Sequence, residues 1–304
     1  MRIKKLGAIL LSAAILATSM PYSAKAAKTE DVVVEETQYT KGMDKKWRKE
    51  TAIVHKYDTS GNLTEYAENK YDSTGKVWHS VKREYTIKNG RCTSHIEYYN
   101  DEISEKVAYT YSTNGKLSRK TGKTSEGIKS SIVKFNKNGY ETSSIGYNIG
   151  FPANEVDNKA YETKYDGKGH CLSEKVYDVW GNIVRQHKYD SKGNEIYTAY
   201  YDGITKYMED KSKNTYKGGT LSKVSTNTYF FEDLSSKRVT TYYTTGSKKG
   251  YKKSIKETDT NGKVLGTTTF KYKVKDNHVV EQIEVKDGQE ISKIVYKWET
   301  IPKK

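Results

Sequence analysis

Residues 57–61 read YDTSG, and this phrase of an aromatic residue, a polar turn residue, two further residues and a glycine returns along the chain. The other copies are YDSTG at 71–75, YSTNG at 111–115, FNKNG at 135–139, YDGKG at 165–169, YDVWG at 177–181 and YDSKG at 189–193. The last three copies begin 12 residues apart, and the first two begin 14 apart. A fixed short period predicts a small structural unit that is stacked many times.

The phrase has the chemistry of a β-hairpin turn. In YDTSG, Asp58 suits the first position of a type I turn, and Gly61 suits the fourth, where φ is positive and a G1 bulge begins the next strand. About eight residues then remain between turns for a strand of about 27 Å. One turn per 12 residues therefore predicts an up-and-down antiparallel meander.

The hairpin register predicts which residues face each other across the strands. It places the aromatic residue of each phrase opposite an aliphatic residue or a cysteine: Tyr57 and Leu63, Tyr71 and Val77, Tyr111 and Leu117, Tyr165 and Cys171, Tyr177 and Ile183. All of these residues have odd numbers, and side chains alternate faces with a period of two. We therefore expect one buried tyrosine and aliphatic face, and one solvated face.

After residue 204 the phrase fades, but alternation persists. Phe270, Tyr272 and Val274 interleave with Lys271, Lys273 and Lys275. The predicted fold is all-β, an elongated antiparallel meander of tandem hairpin repeats that forms a thin or curled sheet. The predicted regions are a β lead-in at 27–50, the repeats at 51–203 and a degenerate β-meander at 204–304. The 27 Tyr and only 3 Pro of the chain favour an ordered ladder over disorder.

The first 26 residues have the three parts of a secretory signal peptide. Arg2, Lys4 and Lys5 precede an apolar run at 6–17, and Ala24-Lys25-Ala26 forms the cleavage site. No second hydrophobic segment follows, so we expect no transmembrane segment. The predicted location is extracellular, either free or loosely associated with the cell surface.

The charge balance predicts anionic partners. The chain has 53 basic and 38 acidic residues, and the signal peptide holds four of the basic ones, which leaves 49 against 38 and a net charge of +11. Such a surplus attracts anions at long range, so we expect an anionic cell-wall polymer or polysaccharide rather than a specific nucleic acid. The alternative is that the lysines only keep the sheet soluble and its edges unpaired.

Two groups are candidate binding residues. Lys271, Lys273 and Lys275 alternate along one strand and should project about 7 Å apart from one face. Tyrosines near lysines can stack on sugar rings while the cations hold anionic groups, and the tyrosines in question are Tyr197, Tyr200 and Tyr201. The alternative is that tyrosine simply packs a one-layer sheet.

The sequence contains no recognisable catalytic or metal motif. Its six histidines, at 55, 79, 95, 170, 187 and 278, lack the close spacing of a metal site, and no phosphate loop, dinucleotide motif or Gly-x-Ser-x-Gly occurs. Cys92 and Cys171 lie about six predicted strands apart, roughly 29 Å, so we expect free thiols. We predict a protein that is not an enzyme and needs no cofactor; the alternatives are a secreted enzyme or effector with a cross-strand site, and a structural spacer.

The pattern Tyr-Asp-x-x-Gly-Asn/Lys-apolar at 57–63, 71–77 and 177–183 resembles the YD repeats of Rhs-type bacterial surface and secreted proteins. This resemblance implies an extended sheet of hairpins that serves as an extracellular scaffold, shell or adhesive surface. The units here are shorter than those of that family, and no C-terminal toxin is recognisable. Residues 111–117 also resemble variant MORN repeats. We therefore predict a secreted scaffold or binding module for anionic glycans or wall polymers.

Overall fold

The structure is a computed structural model that describes residues 29–146, 159–178 and 180–302, and these residues form strands and turns. The strands are β1 (Thr29–Lys41), β2 (Trp47–Tyr57), β3 (Leu63–Tyr71), β4 (Val77–Lys88), β5 (Arg91–Tyr99), β6 (Glu102–Tyr111), β7 (Leu117–Lys123), β8 (Lys129–Phe135), β9 (Glu141–Gly146), β10 (Lys159–Tyr165), β11 (Cys171–Tyr177), β12 (Ile183–Tyr189), β13 (Glu195–Asp202), β14 (Thr205–Lys217), β15 (Thr220–Phe230), β16 (Asp233–Tyr242), β17 (Lys252–Thr258), β18 (Val264–Lys275), β19 (His278–Lys286) and β20 (Gln289–Pro302).

The repeated phrase forms the predicted turn. The amide of Gly61 donates to the carbonyl of Asp58 at 3.0 Å, and the amide of Asp58 donates to the carbonyl of Asn62 at 2.9 Å. Gly61 has φ +75°, the left-handed conformation that the G1 bulge requires. The Asp58 carboxylate also accepts a hydrogen bond from the Ser60 amide at 2.9 Å. The turn chemistry read from the sequence is therefore confirmed.

The sheet closes on itself. Every strand pairs antiparallel with the next one along the chain, and β1 also pairs with β20 from Thr29 opposite Pro302 to Thr40 opposite Ser292. The prediction of an open, elongated meander is therefore wrong, because the protein is a closed 20-stranded antiparallel barrel. Repeated bulges twist and bend a sheet, and closure supplies partners for the backbone groups of the two strands that would otherwise be edges.

Closure gives the sheet an inner and an outer face. The inner face lines a cavity of about 540 Å³ along β13–β20. In β14 the inner residues Ser212 and Asn214 are partly buried, whereas Lys211 and Lys213 on the outer face are exposed. Fully buried side chains are few and occur on both faces, including Ile132 on the outer face and Thr198 on the inner face. The barrel wall is thus a single layer.

The predicted cross-strand pairs are confirmed. The pairs are Tyr57 and Leu63, Tyr71 and Val77, Tyr111 and Leu117, Tyr165 and Cys171, Tyr177 and Ile183. These contacts depend only on the turn, whose geometry the phrase determines. The sequence therefore predicts the local register correctly at all five hairpins.

The prediction that these tyrosines share one face is wrong. A second bulge follows each hairpin: Tyr57 pairs with Leu63, but the preceding Lys56 pairs with Glu65, so Thr64 is an extra residue. Its hydroxyl donates to the Lys56 carbonyl at 3.1 Å. The bulge shifts the alternation by one residue, so odd-numbered residues face inward before it and outward after it. Tyr57 consequently faces inward, whereas Tyr71 faces outward.

The direction of the turn aromatics depends on the end of the barrel. We call the end that carries the β1–β2 turn the first rim and the end that carries the β2–β3 turn the second rim. At the second rim the aromatics of the turns face inward: Tyr57, Tyr111, Phe135, Tyr165, Tyr189, Tyr216 and Tyr242. At the first rim five aromatics face outward, namely Tyr71, Tyr98, Tyr177, Tyr201 and Tyr229. Tyr99 and Phe230, directly beside the two-residue turns of that rim, face inward.

Candidate binding surface and interior

The outer face of β10–β18 is strongly cationic, and we call it the lysine face. Among the side chains that the structure describes, it carries thirteen lysines: Lys164, Lys175, Lys188, Lys206, Lys211, Lys213, Lys217, Lys223, Lys237, Lys256, Lys271, Lys273 and Lys275. The described residues of the same strands place two carboxylates on this face, Glu162 and Glu209. The basic surplus of the sequence is therefore concentrated on one side of the barrel wall.

Most of these lysines are available to a ligand. Eleven are exposed, and the other two, Lys175 and Lys206, are partly exposed. Among the described residues, only Lys206, Lys211 and Lys271 have a carboxylate within ion-pairing distance. The remaining ten ammonium groups have no acidic partner in the described part of the chain, so their charge is open to anions in solution.

The predicted row of Lys271, Lys273 and Lys275 lies on this face and is exposed, as strand alternation requires. Its charge is partly compensated. The Lys271 ammonium lies 3.1 Å from Glu290, which also binds Lys41 at 3.2 Å. Lys273 lies opposite Glu281 on β19. The row is therefore a weaker anion site than its sequence suggests.

A second cluster, whose lysines have no ion-pair partner in the described residues, lies on β14–β17, and sequence reasoning missed it. We call Lys213, Lys223, Lys237 and Lys256 the central lysine cluster. Lys223 lies opposite Thr215 on β14 and Thr241 on β16, and Lys237 lies opposite Asn227 and Thr258. Lys213 lies diagonally from Lys223, and Lys237 lies diagonally from Lys256. Lys223 and Lys237 are four residues out of register on adjacent strands, with the uncharged Ser225 and Val239 between them. The bulge at each turn hides this grouping, because residue parity alone does not give the face.

The three predicted tyrosines do not share a surface. Tyr197 and Tyr201 face outward, whereas Tyr200 faces inward opposite Met208. The Lys188 ammonium lies 5.0 Å from the centre of the Tyr197 ring, within the range of a cation–π contact. The Tyr197 hydroxyl donates to Glu209 at 3.1 Å, and burial together with this hydrogen bond raises the pKa of Tyr197. Two of the three tyrosines therefore belong to the lysine face.

Glu209 organises the middle of this face. Its carboxylate is buried and lies 2.8 Å from Nζ of Lys206 and 2.6 Å from Nζ of Lys211. Burial opposes ionisation, but the hydrogen bonds from Lys206, Lys211 and Tyr197 outweigh it and lower the pKa of Glu209 to about 2. Glu209 thus fixes two lysines and one tyrosine in place.

The interior holds polar and titratable groups. His55, His79, His95 and His187 face inward. Burial, reinforced by the nearby charge of Arg83, lowers the pKa of His95 to about 4, so this imidazole is neutral at physiological pH. Within the described ranges, no group of three or more His, Cys, Asp or Glu side chains is placed to hold a metal ion.

One interior histidine contacts a carboxylate at the cavity wall. His187 Nδ1 lies 2.6 Å from Glu195 and 3.1 Å from the Thr198 hydroxyl. A base beside a hydroxyl is an arrangement used in nucleophilic catalysis. Thr198 is only 2 % exposed, so a substrate cannot reach its hydroxyl. This contact is therefore better explained as a structural hydrogen bond than as a catalytic pair.

Cys92 on β5 and Cys171 on β11 are not joined in a disulfide, and both are only partly exposed. Both face inward, because they pair with Ile87 and Tyr165. Burial, aided by the negative charge of Glu174, raises the pKa of Cys171 to about 11. The thiol is therefore protonated at neutral pH and behaves as a small apolar group.

No protein-family model matches the chain, and no curated protein matches it in sequence. Among solved structures it is similar to a porin-like protein from Bacteroides uniformis, with 10% identity, a TM-score of 0.36, and coverage of 88% of this chain and 96% of the other. A porin-like protein from Bacteroides vulgatus gives 10% identity and a TM-score of 0.34, over 88% and 98% of the two chains. In the described residues, no helix is long and apolar enough to cross a membrane.

Proposed function

We propose that this protein is a secreted, non-enzymatic binding protein for anionic polymers, such as cell-wall polymers or acidic polysaccharides, and that the lysine face is its contact surface. One observation carries the proposal: in the described residues, thirteen outward lysines on β10–β18 share that face with two carboxylates. One of these two carboxylates, Glu209, is buried beneath its lysine partners.

The spacing of the cations supports a polymeric ligand. Outward residues two apart on a strand are separated by about 6.6 Å, and neighbouring strands by about 4.8 Å. A hydrogen-bonded sheet holds this lattice of charges rigidly, so a chain with regularly spaced negative groups can contact several lysines at once. Multiple weak contacts by one chain add in free energy and give a much tighter complex than any single contact.

The central lysine cluster is the place to test the proposal. Changing Lys213, Lys223 and Lys237 together to Gln removes three charges from adjacent strands. The matched control changes Lys76, Lys116 and Lys263 to Gln, which removes the same net charge from turns at the two rims. Binding of each variant to a sulfated dextran and to a polyglycerol phosphate is measured by calorimetry over a series of salt concentrations.

We expect the cluster variant to lose most of its affinity and the rim control to keep it. Affinity of the unmodified protein should fall steeply with salt, because the Debye length shortens to about 8 Å at physiological ionic strength. A triple change of Lys271, Lys273 and Lys275 to Gln should have a smaller effect than the cluster variant, since Glu290 already compensates Lys271. Equal losses in the cluster and rim variants would show that net charge alone is responsible and would reject the site.

A further inference from the structure

The exposed apolar side chains of the barrel are gathered at one end. Of the twelve large hydrophobic residues that are exposed in the described part of the chain, eleven lie in or beside turns of the first rim, and we call them the apolar rim: Met43, Val77, Trp78, Tyr99, Ile128, Trp180, Ile204, Phe230, Phe231, Val264 and Leu265. The twelfth, Leu172, lies beside a turn of the second rim. Turns at that second rim are polar instead, as in DTSGN at 58–62 and DSKGN at 190–194.

The apolar side chains occupy the tips of the turns. Met43, Ile204 and Trp180 have relative exposures of 105%, 98% and 79%. Each belongs to a different connection, respectively β1–β2, β13–β14 and β11–β12. Such exposure leaves most of the surface of each side chain in contact with solvent. Large exposed apolar surfaces on a soluble domain mark a surface that meets another apolar phase or partner.

A second observation distinguishes this end. The outward tyrosines Tyr71, Tyr98, Tyr177, Tyr201 and Tyr229 all lie immediately behind the first rim. Trp47 also faces outward there, opposite Lys41. Tyrosine and tryptophan favour the boundary between water and lipid, because they combine an apolar ring with a polar group. At the second rim the corresponding aromatics face inward, so a collar of outward aromatic side chains exists at the first rim only.

The wall of the barrel, by contrast, is suited to water. Lys211 and Lys213 lie in the middle of β14 on the outer face, and both are exposed. A charged side chain in hydrocarbon is costly, so the wall does not lie in a lipid core. From the first rim toward the wall, the outer surface carries apolar tips, then outward aromatic rings, then lysines. This order matches the change in polarity from a bilayer interface to water.

We propose that the first rim docks on a phospholipid bilayer, with the turn tips inserted at the boundary between headgroups and acyl chains. A fluid interface suits this rim better than a second copy of the chain does. The tips belong to separate turns with polar residues between them, such as Asp44 and Asp178. A protein interface is centred on a packed, desolvated core, whereas separate side chains can each enter a fluid interface. This proposal does not require that the lysine face bind an anionic polymer.

The test uses the mature protein with vesicles of phosphatidylcholine containing a minority of phosphatidylglycerol. The rim variant changes Met43, Trp180 and Ile204 together to Ser. The paired single variants Ile204→Ser and Leu172→Ser remove an exposed aliphatic side chain from opposite ends. Sedimentation with vesicles gives the partition coefficient, and quenching of tryptophan emission by brominated lipid reports insertion of residues at the rim.

We expect the rim variant to partition at least about tenfold less than the unmodified protein, since each inserted side chain contributes through burial of its apolar area. Ile204→Ser should weaken partitioning and Leu172→Ser should not. The inference fails if the unmodified protein does not sediment with vesicles, or if both single variants behave alike. It also fails if ultracentrifugation shows a vesicle-free dimer that the rim variant abolishes, because the rim would then be a contact between two copies. Unchanged circular dichroism confirms that each variant is folded.

Discussion

Glu209 and Lys211 form a 2.6 Å ion pair on the lysine face, although the carboxylate is buried and the ammonium is exposed. Replacing Glu209 with Gln should therefore destabilise the protein by about 1–3 kcal/mol at neutral pH, because charge-assisted hydrogen bonds are lost from buried groups. Urea denaturation measures the change in the free energy of unfolding.

The effect of this substitution should depend on pH. The folded-state pKa of Glu209 is about 2, below its usual 4.5, so the carboxylate contributes stability that is fully present above about pH 4.5 and is lost as the pH falls toward 2. The difference between Gln and Glu should shrink over that range. Glu299, an exposed carboxylate paired with Lys297, supplies the control. Its change to Gln should cost no more than about 1 kcal/mol, and a larger cost would contradict our account of burial.

Two turn glycines allow the effect of a positive φ on stability to be measured without a steric clash. Gly181 has φ +85°, whereas Gly167 does not have a positive φ, and an added Cβ meets no atom within 4 Å at either position. Gly181→Ala should cost about 1–2 kcal/mol because the left-handed region is unfavourable for an L-residue. Gly167→Ala should leave stability unchanged or raise it by up to about 1 kcal/mol. Equal urea midpoints for the two variants would reject the turn assignment.

Thiol chemistry tests the inner position of the cysteines. In a Cys92→Ser background, the remaining thiol of Cys171 has its pKa raised to about 11. Its thiolate fraction at about pH 8 should be roughly a hundredfold lower than that of an ordinary cysteine. Iodoacetamide should therefore label the folded protein very slowly and the urea-unfolded protein at the normal rate. Fast labelling of the folded protein would show that Cys171 is open to solvent.

A disulfide tests the closure of the barrel. Thr37 on β1 lies directly opposite Val295 on β20, at a distance where paired cysteines can be joined. In a background without Cys92 and Cys171, Thr37→Cys with Val295→Cys should form an intramolecular disulfide that mass spectrometry of tryptic peptides detects. Thr37→Cys with Val239→Cys on β16 should not. A chain whose first and last strands remain apart would give neither link.

The local structure follows from the sequence because it depends on neighbouring residues. Asp58 and Gly61 specify the turn, and the turn specifies the pairing of Tyr57 with Leu63. The closure of the barrel could not be predicted in this way, because no motif in 27–41 or 289–302 indicates that the first and last strands pair with each other. It results from curvature accumulated over twenty strands, to which each bulge contributes a little.

The lysine face was predicted only in part, because the sequence determines local properties but not the grouping of residues across strands. Lys271, Lys273 and Lys275 face outward because alternation within one strand is a local property. Grouping Lys213 with Lys223 and Lys237 requires the register of three strands, including the extra residue after each turn. A signal for that residue exists in the sequence at some hairpins only. Examples are Thr64, Ser118, Thr142 and Ser222, each with a hydroxyl that donates to a carbonyl of the opposite strand.

The extra residue after each turn also limits how this chain can be lengthened by duplication of the repeated phrase. One 12-residue phrase with its bulge carries the aromatic side chain from the inner to the outer face, so duplicating a single phrase would turn the later part of the chain inside out. Duplicating two phrases together restores the orientation and adds two strands, which an antiparallel ring requires in order to close. The segment that can be duplicated without inverting the faces is therefore a pair of strands about 24 residues long, which is twice the 12-residue period of the sequence.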